Sequence, residues 1–416
     1  MTHWCSPRGG AGRRPTVIAN ILVACTVRAI SGLGLKVAAG KTEAVFMHGG
    51  NHGPPPETHI VVGDMRIRVG SHIKYLGLLL DERWRFGDHI LKLAPRLDAT
   101  ANALSRLMPN LGGPSGRVRR LYGNVLHSIA LYGAPIWATA VSADRKALAT
   151  LRKTQKRMAV RVTRAYRTVS HAAATLLAGM PPVDILAEAY TWAYERIAGL
   201  KAQEVPVAGK VRRAINAQAR KRAPDRWKET LAKPGWGRRT VQAILPHMEG
   251  WLDRTWARAS YRTSQVLTGH GCCGQYLRRI GKEAAPSCHH CGDEEDTAQH
   301  TLEACPAWAV QRHALRETIG EDFSLEAVVG KIVREESAWS AFSSFCEGRR
   351  LKGESGTAEG AQGGVGGRGP QAHQPPPTTR GRGGGPVAPP SRRDQAPEER
   401  PTKGEAPIRS QEGRAM

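Results

Sequence analysis

The sequence of 416 residues has little aromatic content, 6% of the total, and no long apolar segment. Its longest apolar stretch near the N-terminus, residues 16–27, contains Asn20 and falls well short of the ~20 residues that a transmembrane helix needs. Arg8, Arg13 and Arg14 precede it as they would in a signal peptide, but a buried helix explains the same pattern. We therefore expect no membrane partner, and a nuclear or cytoplasmic protein rather than a secreted one.

Familiar catalytic motifs are also missing from the sequence. It contains no P-loop, no Gly-x-Ser-x-Gly, no His-Glu-x-x-His and no Asp-Asp pair. Two-metal phosphoryl transfer needs clustered carboxylates that hold ions about 4 Å apart. The one dense acidic run, residues 293–296, lies between cysteines and histidines, where we expect it to keep a loop solvated. These absences favour a binding role, and no small-molecule substrate is predicted.

Acidic residues are few, because 36 Asp and Glu stand against 61 Lys and Arg, and the formal net charge is +25. Residues 145–239 alone hold 22 Lys or Arg and 6 Asp or Glu. Such an excess disfavours compaction unless a polyanion is bound. Nucleic acid is the first candidate and an anionic membrane surface the second. Four tryptophans in and after this block either stack on bases or, more commonly for this residue, pack in a helical core: Trp227, Trp236, Trp251 and Trp256.

One predicted helix presents much of this charge. Ser142 is suited to cap its N-terminus, and apolar residues recur at helical spacing on one face: Leu148, Leu151, Met158 and Val162. The opposite face is basic. We predict that seven cations in and just after this helix bind nucleic-acid phosphates: Arg152, Lys153, Lys156, Arg157, Arg161, Arg164 and Arg167.

Three of the eight cysteines form a metal-ligand pattern with one histidine. Cys288 and Cys291 make a Cys-x-x-Cys pair, and His300 and Cys305 follow as a His-x4-Cys pair. Such a set grips one Zn²⁺ and leaves no position for a catalytic water, so we predict a structural zinc site. Its closure ties together a segment that we expect to have little hydrophobic core of its own. Three nearby residues are candidate substitutes for a ligand: Cys273, His289 and His290.

Hydrophobic periodicity predicts a mostly α fold with a small α+β part at the N-terminus. This part comprises one helix and four extended segments, at residues 16–35, 44–48, 60–62, 66–69 and 72–80. From residue 86 to about residue 261 the pattern is mostly helical. One of these helices, residues 118–132, is predicted to stop at Gly133 and Pro135.

Both ends of the chain are predicted to be disordered. Residues 1–15 have no periodicity. Residues 351–416 hold 24 Gly or Pro and no aromatic residue, so they cannot bury enough apolar surface to offset chain entropy. Arg-Gly pairs at Arg368, Arg380 and Arg382 could contact RNA phosphates, although a solvated tail without a defined role is the simpler interpretation.

Several short motifs follow one another along the chain. The first are Gly34-Leu35 with Lys41-Thr42-Glu43, Tyr75-Leu76-Gly77, Arg106-Leu107-Met108-Pro109-Asn110 with Gly112-Gly113-Pro114, and Leu131-Tyr132-Gly133-Ala134-Pro135-Ile136-Trp137. The later ones are Tyr166-Arg167-Thr168-Val169-Ser170, Leu267-Thr268-Gly269-His270-Gly271, and the Cys-Cys-His-Cys set before Pro306 and Trp308. In order and spacing, from about residue 17 to residue 346, the chain resembles the C-terminal portion of non-LTR retrotransposon reverse transcriptases, in particular of arthropod elements that insert into ribosomal RNA genes.

The resemblance implies a role for each segment. Lys41 would lie near the incoming nucleotide phosphate, in the palm of the polymerase. Tyr75, Leu76 and Gly77 would form the hairpin that grips the primer end. The helices after Phe86 would be the thumb, which holds the template–primer duplex. The zinc knuckle and its neighbours would hold target DNA or element RNA.

The same resemblance implies catalytic aspartates that this sequence does not have. In the family they lie in a strand with one carboxylate and in a Tyr/Phe-x-Asp-Asp turn, both upstream of the matching part. We therefore expect that the chain begins just after that turn and does not polymerise alone, and that Mg²⁺ serves only the full-length parent enzyme. Cys273 stands where the family pattern has an aromatic residue.

Together these predictions divide the chain into six segments. They are a disordered segment (1–15), a palm remnant (16–85), thumb-like helices (86–141), a basic helical nucleic-acid-binding domain (142–262), a zinc-knuckle region (263–350) and a disordered Gly/Pro/Arg-rich tail (351–416).

The predicted function is that of a C-terminal fragment of an RNA-directed DNA polymerase that binds template–primer or target nucleic acid, both RNA and DNA. The alternative is a stand-alone, non-catalytic zinc-knuckle protein that is derived from such an element and binds nucleic acid. A third interpretation, a secreted disulfide protein, requires that Cys288, Cys291 and Cys305 be oxidised rather than metal-bound.

Overall fold

The computed structural model describes residues 13–49, 58–233, 235–254 and 259–348, all within one compact unit. Helices make up 65% of it, with a few short strands near the N-terminus, which confirms the predicted mostly α fold. The first helix begins at Arg13, inside the segment that was predicted to be disordered. The rest of that segment and the predicted tail, residues 351–416, lie outside the described residues.

The N-terminal part pairs one helix with a small sheet. Its elements are α1 (Arg13–Gly32), a 3-10 turn (Ala39–Lys41), β1 (Ala44–Val45), β2 (His59–Val62) and β3 (Met65–Gly70). β3 is central, antiparallel to β2 and parallel to β1. Asn20 of α1 accepts a hydrogen bond of 2.7 Å from the Val61 amide. The polar residue that interrupts the apolar stretch therefore joins α1 to the sheet.

Residues 72–80 form a hairpin, so the prediction of one continuous extended run was wrong. The strands are β4 (His72–Tyr75) and β5 (Leu78–Asp81), paired antiparallel. Leu76 (φ 46°) and Gly77 (φ 85°) between them are both left-handed, as a two-residue hairpin turn of this type requires. Apolar residues on both sides of this turn make the sequence read as a single strand.

Seven helices follow the hairpin: α2 (Gly87–Arg106), α3 (Gly116–Ala130), α4 (Ala134–Ala143), α5 (Arg145–Thr163), α6 (His171–Ala178), α7 (Val183–Ala202) and α8 (Gly209–Ala232). α5 lies at their centre, packed against α2, α3 and α6. Its predicted apolar face is buried at Leu151, Met158 and Val162. These side chains belong to a core cluster that extends from Leu78 of the hairpin into α7.

Two predicted helix boundaries were wrong. The N-cap of α5 is Asp144, whose carboxylate accepts hydrogen bonds from the Lys146 and Ala147 amides, and not Ser142. Pro135 does not stop α3 but lies in the first turn of α4, where a missing N–H costs nothing.

The remaining helices are short: α9 (Arg238–Ile244), α10 (Met248–Asp253), α11 (Tyr261–Thr268), α12 (Gly274–Arg279), α13 (Ala298–Glu303), α14 (Ala309–Ile319), α15 (Leu325–Ile332) and α16 (Glu336–Gly348). With α7 and α8 they enclose a second core cluster. Trp227 and Trp251 are buried in it, so their role is packing, whereas Trp236 is 88% exposed. Trp256 lies outside the described residues.

Among the described residues, no single helix is both long and apolar enough to cross a membrane. One pair of helices, α3 and α4, passes such a test together, but the pair is bent by 86°.

Candidate metal centre and nucleic-acid interface

The four predicted zinc ligands meet in space. One ligand atom from each of Cys288, Cys291, His300 and Cys305 lies within 4.8 Å of all the others. The Cys288 and Cys305 Sγ atoms are 3.9 Å apart, close to the ~3.8 Å edge of a tetrahedron with Zn–S bonds of about 2.3 Å. The Cys291 Sγ atom lies 3.2 Å from His300 Nε2. The donor set and its compactness fit Zn²⁺, and the cluster could hold one ion.

Local hydrogen bonds fix where each ligand stands. The Cys288 amide donates to the Asp293 carbonyl and the Gly292 amide to the Cys288 carbonyl, each at 2.8 Å, which closes a tight turn around the first cysteine pair. His300 lies on α13, where the Thr297 hydroxyl accepts a hydrogen bond from the His300 amide as the helix N-cap. The Cys305 amide donates back to the His300 carbonyl, so the second pair also comes from one short turn.

The acidic run at residues 293–296 was predicted to keep this loop solvated, and that prediction was wrong for Asp296, which is buried, whereas Asp293 is exposed. Asp293 lies with one carboxylate oxygen 3.6 Å from His300 Nδ1, on the side of the ring away from the other ligands. Such a contact orients a ligand imidazole so that Nε2 faces the metal. Asp296 is buried and accepts a hydrogen bond of 2.8 Å from the Gly274 amide, which attaches the loop to α12.

Burial raises the pKa of the Cys288 thiol and raises that of Cys305 to about 12. Backbone N–H groups of His290 and Cys291 act in the opposite direction on Cys288. Because Zn²⁺ binds the thiolate, metal binding at these buried groups is coupled to proton release.

The cluster is built into the second core, contrary to the expectation of a segment with little core. Cys288, Leu302, Cys305 and Trp308 belong to the same buried cluster as Trp227 and Trp251. The three candidate substitutes lie outside the ligand set. His289 faces Glu283, His290 contacts the Trp308 ring edge-on, and Cys273 is buried at the start of α12.

The seven predicted phosphate contacts of α5 differ in their surroundings. Arg152 forms an ion pair with Asp184, and Arg157 forms one with Asp98. The Arg164 guanidinium donates to the Pro114 carbonyl, and the Arg161 side chain is half-buried. Lys153 and Arg167 are exposed, and Lys156 is half-buried. Several of these cations therefore already have partners within the fold, because α5 lies at the centre of the helices.

A different helix presents cations without such partners. Lys210, Arg212, Arg213, Arg220 and Lys221 of α8 are exposed and form no ion pair with any described residue. Four of them, all except Arg212, share one face at helical spacing. The opposite face buries Ile215 and Ala219 against the protein. The basic excess counted over residues 145–239 includes these cations, but the sequence prediction assigned the phosphate contacts to α5 instead.

The segments around Lys41 and Tyr75 are brought together. Lys41 is exposed at the end of the 3-10 turn, and nearby Glu43 accepts a hydrogen bond of 2.9 Å from the Lys74 amide of β4. The exposed turn at Leu76 and Gly77 is joined to the turn between α3 and α4, because the Tyr132 hydroxyl donates to the Leu76 carbonyl at 2.7 Å.

Comparison with known proteins identifies relatives of one kind. The chain is 28% identical over 274 residues to a 115 kDa protein in the type-1 retrotransposable element R1DM of Drosophila melanogaster, a match that covers 62% of this chain. It is 25% identical over 288 residues to a Pol polyprotein from element R1 4 of Nasonia vitripennis and 24% identical over 279 residues to that from R1 of Bradysia coprophila, with 67% and 65% of this chain covered. The chain is homologous to the Pol polyproteins of R1 retrotransposons.

The match spans 26% of the Drosophila R1 protein, 27% of the Bradysia protein and 72% of the Nasonia protein. No protein-family model and no solved structure matches the chain. The R1 homology supports a retrotransposon-derived protein and confirms the family that the motifs indicated.

Two motifs that carry the R1 resemblance meet in the structure. The Thr168 hydroxyl lies 3.0 Å from His270 Nδ1 and 2.7 Å from the Tyr276 hydroxyl. Burial lowers the pKa of His270 to about 4, and the nearby cations Arg279 and Lys156 act in the same direction. His270 is therefore neutral at physiological pH. The contacts join the loop after α5 to α11 and α12, and the sequence alone did not indicate that these motifs touch.

Proposed function

We propose that this chain is the nucleic-acid-binding, C-terminal portion of an R1-type reverse transcriptase, with element RNA and target DNA as partners. In this proposal residues 16–85 are the end of the palm and residues 86–141 the thumb, and the Cys-Cys-His-Cys cluster is a structural zinc knuckle. The protein would act in the nucleus or cytoplasm. The palm and thumb limits rest on the resemblance of the motifs to this family.

The observation that carries the proposal is the row of unpaired cations on α8. The first turn of this helix contains no acidic residue and has no side-chain cap, although Lys210 and Arg212 lie at that end. Cations near a helix N-terminus are unfavourable, by about 0.3–1 kcal/mol each, because they face the positive end of the dipole. Nothing in the described fold offsets this cost, whereas phosphates along the helix would.

The test is to neutralise the four cations that share the face of α8, as Lys210→Gln, Arg213→Gln, Arg220→Gln and Lys221→Gln together. Each lost phosphate contact reduces the slope of log K against log salt by about 0.9 for duplex DNA, so a slope smaller by about 3 to 4 is expected. The measurement is fluorescence anisotropy of a labelled 20-bp duplex between about 50 and 200 mM salt.

The matched control neutralises four exposed cations that lie elsewhere: Arg28, Lys36, Lys331 and Arg334. This control lowers the net charge by the same amount, and most of the slope of log K against log salt should remain. Binding by the unmodified protein that does not depend on salt would refute nucleic-acid binding itself. Equal losses in the two variants would refute a specific role of α8 and leave only a general charge effect.

The proposal also holds that this chain alone does not polymerise, since its sequence offers no Asp-Asp pair. A primer-extension assay on the full chain with an RNA template, Mg²⁺ and all four nucleotides is expected to yield no product. Extension above background would contradict this part. The alternative, a stand-alone protein derived from such an element, predicts the same binding, and transcripts that begin at Met1 would favour it.

A further inference from the structure

A small cavity is lined by three arginines and the N-terminus of α3. Its volume is about 40 Å³, which is larger than one water needs. Gly116, Arg117, Arg120 and Arg254 lie on its wall, and none of the described residues that line it is acidic.

The first turn of α3 is free to receive an anion. Its N-cap residue, Ser115, makes no side-chain hydrogen bond to the helix, and the first turn contains no acidic residue. Helix N-termini offer unpaired N–H groups and a partial positive charge, which together favour phosphate and similar anions. The turn instead carries Arg117 and Arg120, neither of which forms an ion pair with a described residue.

Arg254 gives an independent indication of a ligand. Its side chain is only 8% exposed, yet its Nε–H has no hydrogen-bond partner, and its one described bond goes to the Trp251 carbonyl. Burial, together with the charge of nearby Arg120, lowers its pKa to about 9. A buried cation beside a second cation is unfavourable unless an opposite charge accompanies it.

Arg119, which precedes Arg120 in the chain, is a structural arginine in this fold. It is fully buried, and its guanidinium donates to the carbonyls of Pro109, Gly112, Pro114 and Arg161. Arg254 has no comparable set of acceptors, because its guanidinium lies over the Trp251 ring, 3.1 Å from the ring centroid, and its Nε–H has no hydrogen-bond partner. One helix-end carbonyl at the cavity is already in use, since the Ser264 hydroxyl donates to that of Thr163.

We propose that this cavity is a phosphate-binding site, formed by the first-turn amides of α3 with Arg117, Arg120 and Arg254. Guanidinium groups and helix-end amides are donors that match the oxygens of a phosphate group. The phosphate belongs either to a nucleic-acid backbone or to a free phosphate compound. This proposal does not rest on the proposed function, because inorganic phosphate alone tests it.

The experiment is thermal unfolding of the full chain in inorganic phosphate against sodium chloride at equal ionic strength. Phosphate should raise the unfolding midpoint saturably, as a ligand of the folded state does. Arg120→Gln should raise the dissociation constant for phosphate about tenfold or more, the usual effect of losing a charge-assisted hydrogen bond. Arg254→Lys keeps the charge but not the planar fork, and should also weaken binding.

A readout without phosphate separates a ligand site from a structural role. Arg120→Gln removes repulsion from Arg254, so the midpoint in phosphate-free buffer should not fall, whereas a purely structural Arg120 predicts a lower one. Arg28→Gln, at an exposed position of α1, is the control and should bind phosphate normally. No saturable shift in the unmodified protein, or an equal shift in Arg120→Gln, would overturn the proposal.

Oligonucleotide binding distinguishes the two sources of phosphate. If Arg120→Gln weakens both inorganic phosphate and a single-stranded oligonucleotide without terminal phosphates, the site receives a backbone phosphate. If it weakens inorganic phosphate alone, the ligand is a free phosphate compound. Each result identifies the source of the phosphate, once the unfolding experiment has shown that the site binds it.

Discussion

Individual Arg and Lys side chains in this basic protein have different roles, and each role depends on the surroundings of the side chain. Arg119 is a buried tie between the loop before α3 and the end of α5, because its guanidinium bonds carbonyls from both. Arg152 and Arg157 are paired with carboxylates, and Lys210 faces solvent. All four contribute equally to a charge count, so composition predicted a polyanion partner without identifying the cations that are available to it.

Removing Arg119 tests its role as a tie. Arg119→Ala leaves four backbone carbonyls without their donor, and we expect it to lower the free energy of unfolding by about 3 kcal/mol or more. Urea denaturation followed by circular dichroism measures this change. Arg28→Ala, at an exposed site, should stay within about 0.5 kcal/mol. A similarly small effect for Arg119→Ala would contradict its assignment as a structural residue.

At the scale of elements, the period of apolar residues located the buried face of α5 correctly, at Leu151, Met158 and Val162. Periodicity reports which face is buried but not how many neighbours cover the rest. α5 is covered by α2, α3 and α6, so part of its basic face is enclosed, whereas the cations of α8 stay exposed. The seven predicted contacts of α5 remain predictions for this reason.

The Cys-Cys-His-Cys cluster depends on a close contact between elements that the ligand spacing does not reveal. A Cβ atom at Gly274 would lie 2.7 Å from the carbonyl oxygens of Pro286 and Ser287, just before the first ligand, Cys288. We therefore expect Gly274→Ala to displace that segment and to weaken zinc binding about tenfold or more, as changes next to a metal site commonly do.

Metal analysis of the purified full chain, followed by competition with a chelating dye, measures this effect. The unmodified protein should contain about one zinc per chain, given four ligands in one cluster. Gly199→Ala is the matched control, because a Cβ there meets no atom within 4 Å, and it should keep zinc and stabilise α7 slightly. Zinc-free wild-type protein would contradict the metal site, and normal affinity in Gly274→Ala would contradict the coupling.

On the scale of the whole molecule, a buried polar network joins helices that are distant in sequence. The Gln155 amide of α5 lies 2.9 Å from His127 Nε2 of α3, donates to the Pro181 carbonyl, and accepts from His171 Nε2 of α6. Burial lowers the pKa of His127 and of His171 to about 4. Both imidazoles are therefore neutral in the folded protein at pH 7.

This network predicts how stability depends on pH. Between about pH 6.5 and pH 4 the unfolded chain binds protons at these histidines and the folded protein does not, so stability falls as pH falls. Each histidine should contribute a loss of about 2 kcal/mol between pH 7 and pH 5. Urea denaturation at a series of pH values measures the loss. His127→Gln should reduce the pH dependence by about a third, because His171 and His270, whose pKa is also lowered to about 4, remain, and an unchanged slope would contradict the assignment.

The sequence by itself determined the mostly helical class, the four residues of the metal cluster and the resemblance to non-LTR retrotransposon reverse transcriptases. These features depend on residue type and on short spacings along the chain. Such spacings can be read without knowledge of the tertiary contacts. Tertiary structure alone decided that the Cys-Cys-His-Cys cluster shares a large core, that ion pairs within the fold occupy part of the basic face of α5, and that a row of exposed cations on α8 forms no ion pair with a described residue. These outcomes depend on which residues far apart in the chain come into contact, and composition and local periodicity carry no record of those contacts.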